Sequence, residues 1–401
     1  MKNDIITCLP IVPMEHDIEW YNKLDYSTIH CKMAEEERKF INGLIRYYQP
    51  SSLLEVGVLF GGGTCNLLNA ISDNKDALLT SIDINEENEC AWGENAKRLF
   101  PEYVGTKWRP IAGKDPCEVL HNSQEMYDFA IIDTAHRHPI ESLNFLTILP
   151  YLKDGAVVVL HDIENHYEDP KLNAACILWS CVVAPKITPP KSYCFNGVKG
   201  AHKVINIGAF QVTSDTREHI KNVFYSLSLP WNIPWSIKFR IKEITKFFEE
   251  HYEVSLLQKW KRFYGMALTK QITNSTTYNL ETLKSSICYL RDNVNLIFFG
   301  AGGNMSRILY TLDVLDIEFD YPIWDEQAEK IKTISGHKVQ YPDYSTPATI
   351  SQVVVITILD RTSANAVGFT LRELGFQVIH SPKFFELCAK RHIVSSLVSL
   401  L

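Results

Sequence analysis

Leu53 to Ile71 reads LLEVGVLFGGGTCNLLNAI: an apolar run, an acid, one glycine, and then three glycines in a row ahead of an apolar, helix-like segment. Glycine loses more backbone freedom on ordering than any other residue, so a cluster marks backbone that turns sharply or is closely approached. Between a strand-like run and a helix-like one, this cluster is either a tight turn or a cradle for a ligand. In open parallel sheets the first strand-to-helix turn is where ligands sit, because it brings loop amides and a helix N-terminus to one point.

The flanking sequence predicts such a sheet. Ala34 to Tyr48, AEEERKFINGLIRYY, spaces its apolar residues as a helix and opens with acids, which favour a helix N-terminus. Short β-rich runs follow at crossover spacing: LLEVGV, ALLTSIDI, WRPIAG, DFAIIDT, AVVVLHD and KVINIGAFQV. From Thr213 to about Lys270 the pattern turns helical, with Pro230, Trp231, Pro234 and Trp235 in its first loop and an aromatic spacing that suits core packing. The polar stretch TKQITNSTTYNLET reads as a linker. A second alternation then begins with NLIFFGAGG, FDYPIWD, QVVVITILD and FQVIHS, separated by NMSRILYTLDVL and SANAVGFTLRELG. The expectation is two α/β domains, 1–275 with a core over about 30–212, and 285–401.

Composition narrows the function. The chain has 401 residues, 40 Lys+Arg against 47 Asp+Glu, a net charge of -7 and no long run of one sign. That is no footprint for a phosphate backbone, so no nucleic-acid partner is expected. Ten cysteines lie scattered without a C-x-x-C pair, which points to reduced thiols and a cytoplasmic protein. The apolar patch in MKNDIITCLPIVPMEHDIEW is broken by prolines and acids, so no membrane span or secretory segment is predicted there.

The glycine loop departs from the dinucleotide pattern G-x-G-x-x-G. Its acid-x-G-x-x-x-G-G-x-Thr order, Glu55, Gly57, Gly61, Gly62 and Thr64, resembles the first motif of the class I S-adenosylmethionine-dependent methyltransferases. The resemblance implies a Rossmann-like doubly wound sheet and S-adenosylmethionine as cofactor. It places the loop backbone against the amino acid part of that cofactor, with Glu55 near the ammonium. Asp83, ending the run SIDI, falls where an acid accepts two hydrogen bonds from ribose hydroxyls. Gly113, with Lys114 and Asp115, falls where such folds hold the adenine edge, although AGKDP also reads as a simple turn.

Tyr127 to Asp162 resembles a longer segment of the same branch: strand, D-G-x-H-like turn, helix, turn, strand, then His-Asp. It sets Asp133 and His136 at one strand end and His161 and Asp162 at the next, so four titratable groups converge on one cleft, with Asp133 also facing the cofactor. Methyl transfer from a sulfonium is an in-line displacement that needs the acceptor held against the methyl carbon and a proton removed as it attacks. His136 or His161, oriented by Asp133 or Asp162, suits that base role; equally, a loop histidine can be solvated and a strand-end Asp can cap a helix. Several relatives hold a divalent cation here. Ala135 stands where many carry a second acid and Ile163 where catechol-type enzymes have an amide, so no metal ligands are assigned unless Glu164 or the substrate completes a set.

The second cluster, Gly300, Gly302 and Gly303 with Asp325 ending FDYPIWD, would put its third fingerprint glycine at Met305. From about Asn295 to Ser381 the chain resembles the small Rossmann-type domains that accompany sugar-modifying enzymes. Nucleotide or nucleotide-sugar holding, NAD binding and a purely structural role all stay open for it. The resemblance implies a methyltransferase acting on a hydroxyl of a small molecule, a sugar, a nucleotide-sugar or a glycan precursor, with self-association into a homo-oligomer left open. Two rivals stand beside it: an NAD-dependent sugar oxidoreductase working through the second domain, and a non-catalytic binding protein.

Overall fold

The computed structural model describes residues 16–89, 91–167, 169–189, 206–233, 240–273, 280–344 and 352–389. The expected features at the N-terminus, at Pro234 and Trp235, at the first residues of KVINIGAFQV and at the centre of the polar linker lie wholly or partly outside them. The chain divides into two compact units, Met1–Trp260 and Lys261–Leu401.

In the first unit seven strands form one sheet in the order β3-β2-β1-β4-β5-β7-β6. Strands β1 (Ser52–Val56), β2 (Leu78–Ile82), β3 (Trp108–Ile111), β4 (Tyr127–Ile132) and β5 (Leu152–His161) run parallel. β6 (Lys186–Ile187) and β7 (Ile207–Gln211) complete the edge antiparallel, a reversal that the period of the sequence did not reveal. The parallel strands read as unbroken apolar runs because helices cover both faces, and Leu53, Leu54, Leu79, Phe129, Ile132 and Val158 are fully or almost fully buried. The predicted helix Glu35–Tyr48 packs Phe40, Ile41, Leu44 and Ile45 with Leu67 and Leu68 of the helix Gly62–Ala70 in one core. Phe247, Phe248 and Trp260 of the helical extension are buried among aromatics, so their spacing is core packing. Connections after β1 run outward through β2 to β3, and those after β4 run the other way. The carboxyl ends of β1 and β4 therefore face a topological switch point.

The second unit is a smaller Rossmann-like sheet, ordered β10-β11-β9-β8-β12-β13. β8 (Asn295–Phe299), β9 (Ile323–Trp324), β11 (His337–Gln340), β12 (Gln352–Ile356) and β13 (Gln377–His380) are parallel, and β10 (Thr333–Ile334) pairs antiparallel with β11. That hairpin turns on Ser335 and Gly336, both at positive φ, which matches the strand twist. Among the described residues no helix is long and apolar enough to cross a membrane.

Candidate active site

The glycines after β1 are explained first by the chain itself. Gly57 has φ +96, and a Cβ there would stand 1.9 Å from the Asp133 carbonyl oxygen, so this glycine lets the ends of β1 and β4 touch. Gly61 (φ +78) opens the helix Gly62–Ala70, and a Cβ on Gly62 would meet Cys31 and the His30 carbonyl at 2.7 Å. A segment before the first strand thus closes over the loop, which local sequence did not show.

Two buried acids organise this turn. Glu55 accepts hydrogen bonds from Thr64 Oγ1 (2.8 Å) and Ser81 Oγ (2.6 Å), and burial pushes its carboxyl up to about 8. Asp83 accepts from the amides of Val58 (2.8 Å) and Leu59 (3.0 Å) through Oδ2 and from Asn85 (2.9 Å) through Oδ1. A carboxylate has about four lone-pair sites, so Asp83 binds the loop and keeps acceptor capacity for a ligand. At the third loop Gly113 has φ +69, and the Lys114 amide donates to the Asp83 carbonyl at 3.1 Å. Asp115 caps the short helix Pro116–Leu120 by accepting from the Cys117 amide, so the turn reading holds for its side chain.

The end of β5 and the loops after β4 and β5 bring the four predicted polar residues together. His136 Nε2 lies 2.8 Å from Asp162 Oδ2 and 3.7 Å from Asp133 Oδ1. His161 Nδ1 lies 3.2 Å from Asp133 Oδ1 and 3.3 Å from Asp162 Oδ2. Both His136 (φ +56) and Asp162 (φ +61) hold left-handed backbone, which costs energy in a residue with a Cβ and aims both side chains at one point.

The cluster contains further acids that sequence reading did not single out. Glu37, in the first turn of the helix Glu35–Tyr48, accepts from the Ala34 amide (2.7 Å) and lies 3.1 Å from His161 Nε2. Glu141 accepts from the His136 amide at 2.6 Å and from Thr134 Oγ1 at 3.2 Å. Asn206, just ahead of β7 and not itself an acid, donates to Asp162 and accepts from the Glu164 amide. The acidic first turn around Glu37 was visible in sequence as a helix start, but nothing local connected it to a histidine after β5.

These neighbours set the protonation of the cluster. Burial disfavours a charged imidazole at His136, yet Asp162, 2.8 Å from Nε2, Glu141, 3.5 Å from Nδ1, and the charge of Asp133 outweigh it and push the ring up to about 10. At His161 burial is likewise overcome by Asp133, Glu37 and Asp162, which hold it well above the usual imidazole range. Burial would raise Asp162, but both imidazoles hold it well below the usual carboxylate range. Both shifts favour the charged imidazolium in the free protein at neutral pH.

Asp133, His136 and Asp162 each offer one ligand atom, all within 4.8 Å of one another. Two carboxylate oxygens and an imidazole nitrogen are a donor set that suits a divalent transition metal better than magnesium. His136 supplies the third donor that Ala135 and Ile163 do not. Among the described residues Glu164 is not in this group.

Residues 54–163 match the family model described as a methyltransferase domain, a span that runs from β1 through β5 and holds Glu55, Asp83, Asp133, His136, Glu141, His161 and Asp162 but not Glu37 or Asn206. No curated protein sequence matches the chain. Among solved structures, the O-methyltransferase TomG of Streptomyces achromogenes, in complex with SAM and involved in tomaymycin synthesis, is 20% identical with a TM-score of 0.36, covering 50% of this chain and 89% of its own. An O-methyltransferase of Bacillus cereus in complex with SAH is 16% identical with a TM-score of 0.35, covering 50% and 90%. The SAH-bound methyltransferase PaMTH1 of Podospora anserina is 12% identical with a TM-score of 0.35, covering 52% and 90%.

Proposed function

We propose that this chain, which carries a methyltransferase domain over residues 54–163, is an S-adenosylmethionine-dependent methyltransferase that transfers the methyl group to an acceptor hydroxyl. The observation that carries the reading is the coincidence of that match with a cluster at the carboxyl ends of four parallel strands, where Glu55, Asp83, Asp133, His136, His161 and Asp162 lie. Asp83 takes the ribose hydroxyls and Glu55 stands by the cofactor ammonium, with the loop over Gly57, Gly61, Gly62 and Thr64 following its methionine part and Gly113 the adenine edge.

The acceptor oxygen attacks the methyl carbon in line with the breaking C–S bond, whose electron pair stays on sulfur and leaves neutral S-adenosylhomocysteine. The hydroxyl proton passes to His136, which Asp162 orients. His136 is protonated in the free protein, but the cofactor brings a positive sulfonium into the same crevice, and a like charge disfavours an imidazolium. A bound sulfonium would lower the proton affinity of His136, the direction its role as base requires. His161, clamped by Asp133 and Glu37, orients Asp133.

A second reading, cation assistance, is favoured by the Asp133, His136 and Asp162 cluster. A cation seated there would acidify a bound hydroxyl, while Asp133 and Asp162 hold the charge balance. The acceptor is a small molecule, with a sugar or nucleotide-sugar preferred because the second unit resembles domains that accompany sugar-modifying enzymes, and the work takes place in the cytoplasm.

The test is calorimetry with S-adenosylhomocysteine on wild type and Asp83→Ala. Binding to wild type that is weakened at least tenfold in the variant supports the reading; absence of binding to wild type removes it.

A further inference from the structure

The second unit has its own switch point, and nothing above assigns a ligand to it. β8 lies between β9 and β12, so the connections leaving β8 and β12 part at their carboxyl ends and open a crevice there. Its glycines differ in what holds them. Gly300 has φ +110, and a Cβ on it would meet Ile358 at 2.8 Å and Thr357 at 3.0 Å, so the fold itself requires glycine. Gly302 and Gly303 have ordinary backbone angles, and a Cβ on either would meet nothing within 4 Å. Gly303 is the first residue of its helix, and the packing of the unit gives no reason for glycine there. Both positions leave open space for an approach from outside the chain.

Two further observations point the same way. The amides of Gly302, Gly303 and Asn304 head the twelve-residue helix Gly303–Val314 and donate to no described residue. Asn304 is only 5% exposed; its Nδ2 donates to the Thr357 carbonyl (2.9 Å) and Ser381 Oγ (3.3 Å), and its Oδ1 is left buried with no partner among the described residues. The acid at the end of β9 repeats the device at the end of β2. Asp325 Oδ2 accepts from the Ala301 amide and Oδ1 from the Gln327 amide, both at 2.7 Å, as Asp83 accepts from the Val58 and Asn85 amides. Asp325 is part-exposed and keeps two of its roughly four lone-pair sites.

We propose that this crevice binds a single nucleoside 5′-diphosphate or its ester, with a phosphate at the amides of Gly302, Gly303 and Asn304 and the ribose diol on Asp325. Helix N-terminal amides bind phosphate through their unpaired donors and the helix dipole, and a strand-end carboxylate accepts from vicinal hydroxyls. Met305, fully buried where a dinucleotide fingerprint has its third glycine, fills the space that close helix packing under a pyrophosphate bridge needs, which selects one nucleotide over a dinucleotide. The assignment does not depend on the methyltransferase reading, because none of its residues belongs to the first unit.

The experiment titrates the full-length protein by calorimetry with ADP, GDP, CDP, UDP and NAD, with and without saturating S-adenosylhomocysteine, beside Gly303→Asp. That variant adds a carboxylate in open space at a helix start, where it suits the dipole but repels phosphate. The expected result is one equivalent of at least one nucleoside diphosphate, unchanged by S-adenosylhomocysteine, and weakened at least tenfold in Gly303→Asp with an unchanged melting temperature. Absence of binding by all four diphosphates, competition by S-adenosylhomocysteine, undiminished binding in Gly303→Asp, or NAD binding tighter than any diphosphate would each overturn it. A variant that melts early is replaced by Gly302→Asp, read the same way.

Discussion

His136 and Asp162 stand on loops after neighbouring strands, both in left-handed backbone, and meet at 2.8 Å between Nε2 and Oδ2. The contact ties the His136 ring to the carboxylate that follows β5. His136→Ala should lower turnover by about 10²–10⁴, the range of a lost general base, while S-adenosylhomocysteine affinity changes little. Retained turnover in the variant would move the base elsewhere in the cluster.

The protonation of the same ring gives a kinetic signature. The kcat/KM profile reports the free enzyme and should rise with pH toward a value near 10; the kcat profile reports the cofactor-loaded state and should rise at lower pH. Coincident limbs would contradict the role given to the sulfonium.

Stability should carry the opposite slope. The folded pKa of His136, about 10, lies above its ordinary 6.5, so its stabilising effect is complete below pH 6.5 and is lost as pH rises toward 10. Chemical denaturation in chelator should show stability falling across that window, less steeply in His136→Gln.

Glu55 predicts a proton linked to cofactor binding. Held up to about 8 by burial, it is mostly neutral at pH 7, and an ammonium placed beside it favours the carboxylate. Binding of S-adenosylhomocysteine at pH 7 should release protons, seen as a heat that varies with the ionisation enthalpy of the buffer. Glu55→Gln should remove most of that variation.

Manganese should raise the melting temperature of wild type and not of Asp133→Asn, with stabilisation near 2.7 kcal/mol at a hundred times the dissociation constant. Because the ion displaces the His136 proton, its affinity should increase with pH. No shift in wild type at any pH would exclude the cation reading.

Two glycine substitutions separate packing from ligand approach. Gly57→Ala places a Cβ 1.9 Å from a carbonyl oxygen at φ +96 and should cost about 3 kcal/mol or more. Gly302→Ala meets nothing within 4 Å and, as a change at a helix N-cap, should cost about 1 kcal/mol or less.

Local sequence determined the parallel strands and their covering helices, because apolar runs of strand length alternating with amphipathic segments have one economical arrangement. It also determined that Glu55, Asp83, Asp133, His136, His161 and Asp162 sit at strand ends, since a residue that closes a β-run in a parallel sheet lies at its carboxyl edge. The antiparallel β7, the Ser335 and Gly336 hairpin and the closure of Cys31 over Gly62 were not legible there. Each depends on which distant segment arrives, not on the period of the segment itself. Only the tertiary structure decided the charge of the site. Glu37 comes from a helix ahead of β1 and Glu141 from the helix after β4, and the carboxylates they add favour the charged form of both histidines, while Asn206, just ahead of β7, holds Asp162 in place. Proton affinity follows distance and burial, and both are properties of the folded chain.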